Sequence, residues 1–258
     1  MKQCFEKIKN IIDFSLRQKI PFSRRNYSEP NESKEELFKS QDEIDREKYL
    51  YEKYDLEKVK TSTTRRNYLE NLYIIDVLDK YFRINYLKNL KAIDIGSSNW
   101  FYAKGQYHFF KEKSSEITLR GIELDTNRLN TRFYSRKEIA NFHTKNLKNV
   151  AYISGSLLEH KEKYDFVVWI LPFVLEYPFA RWGLPMSYFK PVEMLNHAYS
   201  LLEKGGQMFI VNQGEEEYNT QKSLYRILDI NFEDIGLIQS TFGVYKKERY
   251  LTLVKKYS

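Results

Sequence analysis

Apolar residues first recur at helical spacing: Phe5, Ile8, Ile12 and Leu16 fall on one side of a helix from Met1 to about Ile20, with Lys7, Lys9 and Arg17 elsewhere on its surface. A stripe of this kind lies either on a membrane surface or against its own domain, and packing within the domain is the expectation. Pro21 and Pro30 break the polar stretch 21–33, which reads as a linker. A charged helix is expected from Lys34 to about Lys58, with Leu37, Ile44 and Tyr51 as a thin apolar seam. Another follows "TST", whose hydroxyls can cap it, and places Tyr68, Leu72, Ile75, Leu78 and Phe82 on one face.

After Leu90 the period changes. "KAIDI", "ITLRGIEL", "VAYISG", "YDFVVWIL" and "GQMFIVN" are five strand candidates, and most are separated by enough chain for a crossover helix. Pro191 suits the first turn of the helix before the fifth strand, and Gly205-Gly206 is expected to close it after Leu201 and Leu202. The stretch "LIQSTFGVYKKERYLTLVKKY" reads as two long strands joined by a tight "KKER" turn. The fold class expected is therefore α/β: a seven-stranded, mostly parallel sheet with an antiparallel C-terminal strand, helices on both faces, and an N-terminal helical extension. Residues 1–86 form that extension or a lid, and residues 87–258 the α/β domain.

Composition narrows the function classes. A chain of 258 residues holds one substantial core and a smaller appended unit. It has no run of about 20 apolar residues, so no membrane-spanning segment is expected. The charged opening stretch does not read as a secretory signal, and a cytoplasmic location is expected. Cys4 is the only cysteine and the four histidines are not spaced as ligands, so neither an intramolecular disulfide nor a structural metal is expected. The net charge of +7 favours anionic partners weakly.

In open α/β sheets ligands lie beyond the C-terminal strand ends. There the chain offers Asp94, Gly96, Ser97, Ser98 and Asn99, then Glu123 and Asp125, then Gly155 and Ser156, then "WILPF", then "NQGEEE". Gly96 permits close backbone approach, the amides after it sit where a helix start collects an anionic group, and Glu123 is placed to accept ribose hydroxyls.

In these segments the chain resembles the class I S-adenosylmethionine-dependent methyltransferases. "AIDIGSSNW" stands where that family has D/E-x-G-x-G-x-G, "GIELD" where it has its ribose-binding acid, and "SGSLLE" where it has G-D and the adenine contact. "LLEKGGQMFIVN" and the last hairpin match its fifth strand and its reversed seventh. The resemblance covers roughly Leu87 to Ser258 and implies S-adenosylmethionine as cofactor, bound by Asp94, Gly96, Ser97, Ser98, Glu123, Ser156, Leu157 and Trp169. Ser98 and Trp100 replace two of the three glycines, so the loop is expected to be less tight or to clamp its ligand from one side. Ser156 replaces the acid that meets the adenine amine. Replacing Glu123 by alanine is expected to weaken donor binding while leaving the fold intact.

The methyl acceptor is read after the fourth strand. Members acting on planar amines often carry [N/D]-P-P-[Y/F] there; "ILPF" keeps Pro172 and Phe173 but has Ile170 at the acceptor position. Pro172, Phe173 and Glu215 are candidate substrate contacts, and Glu176, Tyr177 and His197 candidate bases, although a surface carboxylate, a packed phenol and a capped or buried helical histidine are the simpler readings of those three. "GEEE" on the same edge suits a cationic acceptor and repels a phosphate backbone. A small-molecule methyltransferase is the first expectation. A non-catalytic binding protein on this fold and a nucleic-acid methyltransferase are the alternatives, and the N-terminal helices are candidates for a homodimer surface.

Overall fold

Runs such as Phe166–Trp169 have no polar side for water, and Ala92–Ile95 is buried throughout with Asp94 its one polar residue, which suits strands covered on both faces. In the computed structural model, which describes residues 2–257, they form the centre of a seven-stranded sheet. Met1, Ser258 and the side chain of Cys4 lie outside the described residues. The strands are β1 (Leu87–Ile95), β2 (Ser114–Glu123), β3 (Val150–Ser154), β4 (Tyr164–Ile170), β5 (Leu202–Gln213), β6 (Phe232–Ile238) and β7 (Arg249–Lys255), in the order β3-β2-β1-β4-β5-β7-β6. The first five pair in parallel, and β7 runs antiparallel between β5 and β6. The chain reverses its direction across the sheet between β1 and β4, which creates a crevice above their C-terminal ends.

The helices are α1 (Lys2–Lys19), α2 (Gln41–Tyr54), α3 (Glu57–Thr61), α4 (Arg65–Tyr81), α5 (Ala103–Glu112), α6 (Arg136–Thr144), α7 (Glu176–Arg181), α8 (Pro191–Ser200) and α9 (Gly214–Ile227). Helices α2 to α5 share one apolar cluster with one side of the sheet, and α8 and α9 share another with the opposite side. The α4 stripe of Tyr68, Leu72, Ile75 and Leu78, with Phe82 just beyond, is buried as its spacing requires. The Phe82 ring meets Phe166 at 5.5 Å and Phe209 at 5.2 Å. Thr64, one residue past "TST", caps α4 by accepting from the Asn67 amide.

Four local expectations change. The α1 stripe does not pack: Phe5, Ile8, Ile12 and Leu16 are exposed, and the opposite side docks. Polar anchors decide this, because Asn10 donates to the Ala180 carbonyl at 2.8 Å and Arg17 grips both oxygens of Asp125 at 3.0 and 2.9 Å, with Phe14 buried against Phe179 and Leu184. The charged helix expected at 34–58 starts only at Gln41, where Ser40 and Glu43 form a capping box, and breaks at Asp55 in a left-handed conformation. Leu50 and Tyr54, not Ile44, face its core.

The pair Gly205-Gly206 lies inside β5 and does not close α8, which ends at Ser200. Gly205 (φ +77°) donates to the Lys256 carbonyl at 2.8 Å and Gly206 accepts from Lys256 at 2.9 Å, so the pair extends the β5–β7 ladder. Nor does "KKER" make a tight turn. Strand β6 stops at Ile238, and residues 239–248 fold back over α4, burying Phe242. Fully buried Asp76 fastens this loop, accepting from Ser240 and Thr241 at 2.8 Å as well as from Arg46 at 2.7 Å and Lys80 at 3.0 Å. Among the described residues no helix is long and apolar enough to cross a membrane.

Candidate functional site

The loop after β1 carries three residues in the left-handed region: Gly96 at φ +70°, Ser98 at +52° and Trp100 at +48°. These are the positions at which the glycine pattern of the resemblance would place its three glycines. The loop therefore keeps the tight turn with side chains in place, which sets aside the first of the two expectations, a less tight loop, although each L-residue there costs of the order of 1 kcal/mol.

Neighbouring groups hold the strained positions. The Trp100 indole is buried against Gly121 on β2, where an added Cβ would approach it to 2.7 Å, and its Nε1 donates to Gln106 Oε1 at 2.8 Å. Gln106 in turn donates its amide to the Asp94 carboxyl. The Ser98 amide donates to Glu123 Oε2 at 3.1 Å, and the Ser98 carbonyl accepts from Tyr152 at 2.6 Å. Among the described residues, chain neighbours aside, nothing lies within 4 Å of where a Cβ on Gly96 or Gly155 would stand, so both glycines border open space.

Glu123 is buried at the end of β2. Its Oε1 accepts from the Asp125 amide at 2.9 Å and from Arg136 at 3.1 Å, while among the described residues Oε2 accepts only from Ser98, which leaves it a lone pair for a further donor. Asp125 is fully buried and takes Arg17 on both oxygens and Arg128 at 2.8 Å. Trp182 lies 5.1 Å from the Arg136 guanidinium and 5.9 Å from that of Arg128. Beside them a cleft of about 510 Å³ opens between α1, residues 127–129 and residues 180–183, with Asn10, Arg17, Phe22, Arg128, Arg181 and Trp182 in its wall.

Arg17, Arg128 and Arg136 share no sequence signature that would group them. Arg128 stands three residues after Asp125, a helix-like spacing for an ion pair, but Arg17 comes from more than a hundred residues away. Only the fold makes them neighbours.

Of the residues singled out in the sequence, Asp94, Gly96, Ser97, Ser98 and Glu123 converge on this edge, and Ser156 adjoins it through the Gly155 amide, which donates to the Glu123 carbonyl at 3.0 Å. The Ser156 hydroxyl accepts from the Leu158 amide at 3.3 Å and so caps the short turn Leu157–Glu159. Leu157 and Trp169 are buried in the cluster on the α8 side. Pro172 is buried, and the Phe173 ring meets Phe179 at 5.4 Å and Trp182 at 5.9 Å. Glu176, Tyr177 and Glu215 are exposed, Tyr177 accepting from Arg181 at 3.3 Å. His197 on α8 bonds through Nε2 to the His160 carbonyl at 2.8 Å and anchors that helix.

Burial raises the Asp94 pKa to about 8, against the lowering effect of hydrogen bonds from Gln106 and Tyr102. An unfolded aspartate titrates near 3.9, about four units lower. The folded protein therefore holds a proton that the unfolded chain releases, and the stability this gives is full below the unfolded pKa and is lost as pH rises through about 8. Urea titrations at pH 6 and pH 9 should show the protein less stable at the higher pH, with the difference from Asp94→Asn changing between the two. Parallel pH profiles for the two proteins would remove Asp94 as the linked group.

No family model matches the chain, and no curated protein matches it in sequence. Among solved structures it is similar to a methyltransferase from Pyrococcus furiosus, with 19% identity over 74% of this chain and 83% of that one at a TM-score of 0.50. It is also similar to a SAM-dependent methyltransferase from Aquifex aeolicus, with 13% identity over 71% of this chain and 91% of that one at a TM-score of 0.50. The strand order, the reversed seventh strand and these likenesses together give the chain the class I S-adenosylmethionine-dependent methyltransferase fold.

Proposed function

We propose that the protein is an S-adenosylmethionine-dependent methyltransferase acting on a small molecule. The observation that carries this reading is the β1 loop: three left-handed positions in the glycine spacing, next to a buried carboxylate with one oxygen still open to a donor. Strained positions of this kind persist only where the surrounding structure holds them, and they cluster at ligand sites.

The residues fit the donor. Gly96 and Gly155 leave their backbone bare, Glu123 Oε2 can accept a hydroxyl, and Ser97, Ser98 and Ser156 supply polar groups around them. Asp94 orders the loop from below through Gln106. Leu157 and Trp169 act from the packed layer beneath. When bound, S-adenosylmethionine supplies a methyl group on a sulfonium, an electrophile already activated for displacement. The protein's part is then chiefly to hold the acceptor in line, for which effective molarities of about 10⁵ to 10⁸ M are available. The Phe173 ring packs on Trp182, whose arginine-lined cleft is the proposed acceptor site, with Pro172 buried next to Phe173 in the chain and Glu215 a further candidate contact. No base is assigned, because Glu176 and Tyr177 stand in solvent and His197 is spent on α8.

A second reading, a binding protein that keeps the fold without the reaction, draws on one observation: Glu123 already accepts three protein donors. Calorimetric titration of ligand-free protein with S-adenosylmethionine and S-adenosylhomocysteine separates the two. Micromolar binding of either supports the methyltransferase reading, and its absence in a folded sample overturns it.

A further inference from the structure

Helix α1 docks through its polar side and leaves its apolar side in water. Phe5, Ile8, Ile11, Ile12 and Leu16 are each at least half exposed, Phe5 at 73%. Past its end Ile20 and Phe22 continue the patch at 68% and 61%. A contiguous apolar surface of this kind marks an interaction site.

Charge identifies the occupant. Residues 2–25 hold seven basic and two acidic side chains, so most of the chain's net charge of +7 lies in this one segment. At helical spacing Lys7 and Lys9 border the apolar face, one on each side, while Glu6 and Asp13 fall with Arg17 on the side of the cleft, whose rim Lys9 shares. Basic flanks around an apolar face are the pattern of a helix lying in the headgroup region of an anionic bilayer. A second copy meeting the same face would set two such basic segments against each other.

We propose that α1 seats the protein on an anionic lipid surface, with Phe5, Ile8, Ile12 and Leu16 among the acyl chains and Lys7 and Lys9 at the headgroups. Lys9, Ile20 and Phe22 also line the cleft beside Trp182, so this seating brings the cleft mouth to the lipid surface. The assignment does not rest on donor binding, and either can fail without the other.

The test is sedimentation of the full chain with vesicles of phosphatidylcholine alone and of equal parts phosphatidylcholine and phosphatidylglycerol. Binding to the anionic vesicles is expected to exceed that to the neutral ones by roughly tenfold, and to fall with salt. The double variant Ile8→Glu/Ile12→Glu should lose roughly tenfold or more in anionic-vesicle binding, because it removes apolar area from the inserted face. Both positions are exposed, so its thermal unfolding should match the parent. Failure of the parent to bind anionic vesicles, or equal binding by the double variant, overturns the proposal. A dimer in solution that the same double variant dissolves, without lipid binding by the parent, overturns it in favour of a second copy.

Discussion

Replacing Trp100 by alanine should lower the unfolding free energy by about 3–5 kcal/mol, the cost of emptying a large aromatic site in a packed core. The indole is 1% exposed, fills the space above Gly121, and gives Gln106 its hydrogen-bond donor. Its loss leaves a cavity, an unpaired Gln106 oxygen, and a strained backbone position with nothing left to hold it. Urea unfolding measures the effect, and a loss below about 1 kcal/mol, the ordinary scale for a point substitution, would mean that the indole does not support the loop. A cycle with Gly121→Ala tests the contact itself: the added methyl should be costly beside Trp100 and nearly harmless in Trp100→Ala.

Glu123→Ala should be comparably damaging, about 3–5 kcal/mol, because Arg136 is itself buried and would be left without its counter-charge. The Asp125 and Ser98 amides would lose their acceptor in the same step. This corrects the expectation from sequence that the alanine variant leaves the fold intact, and it disqualifies that variant as a probe of binding. Glu123→Gln is the usable one. It keeps an acceptor oxygen for Arg136 and the Asp125 amide but not the counter-charge, so it should cost stability, less than alanine does, while weakening donor binding by about 1–3 kcal/mol through loss of a charge-assisted hydrogen bond. Unaltered donor affinity in a folded Glu123→Gln would sink the ribose assignment. An alanine variant as stable as the parent would show that the Arg136 pair is not held in solution.

The sheet was legible because its central strands are apolar on both faces, a pattern that survives any detail of packing. Asp94, Gly96 and Glu123 were legible for a related reason, since strand ends in this architecture converge wherever the loops lead. What could not be read was decided at long range. The docked side of α1 depends on Arg17 finding Asp125, a partner that no periodicity announces. The same holds for Ser240 and Thr241, whose acceptor Asp76 turns a supposed tight turn into a long loop. At Gly205-Gly206 the local signal was real but ambiguous, because a glycine pair ends a helix and relaxes a strand with equal ease. Trp100 is the most instructive case: its deviation from the glycine pattern looked like relaxation of the loop, and the compensating partner, Gly121, lay one strand away.

The placement of β7 between β5 and β6 bears on how the protein is made. On the ribosome β6 emerges before β7, its one partner among the described residues, so until Arg249–Lys255 has been synthesised β5 presents a bare edge and β6 lacks that partner. Stalling just before residue 249 would therefore leave an aggregation-prone intermediate, whereas cleavage of the finished chain within α1 would leave every strand pairing intact.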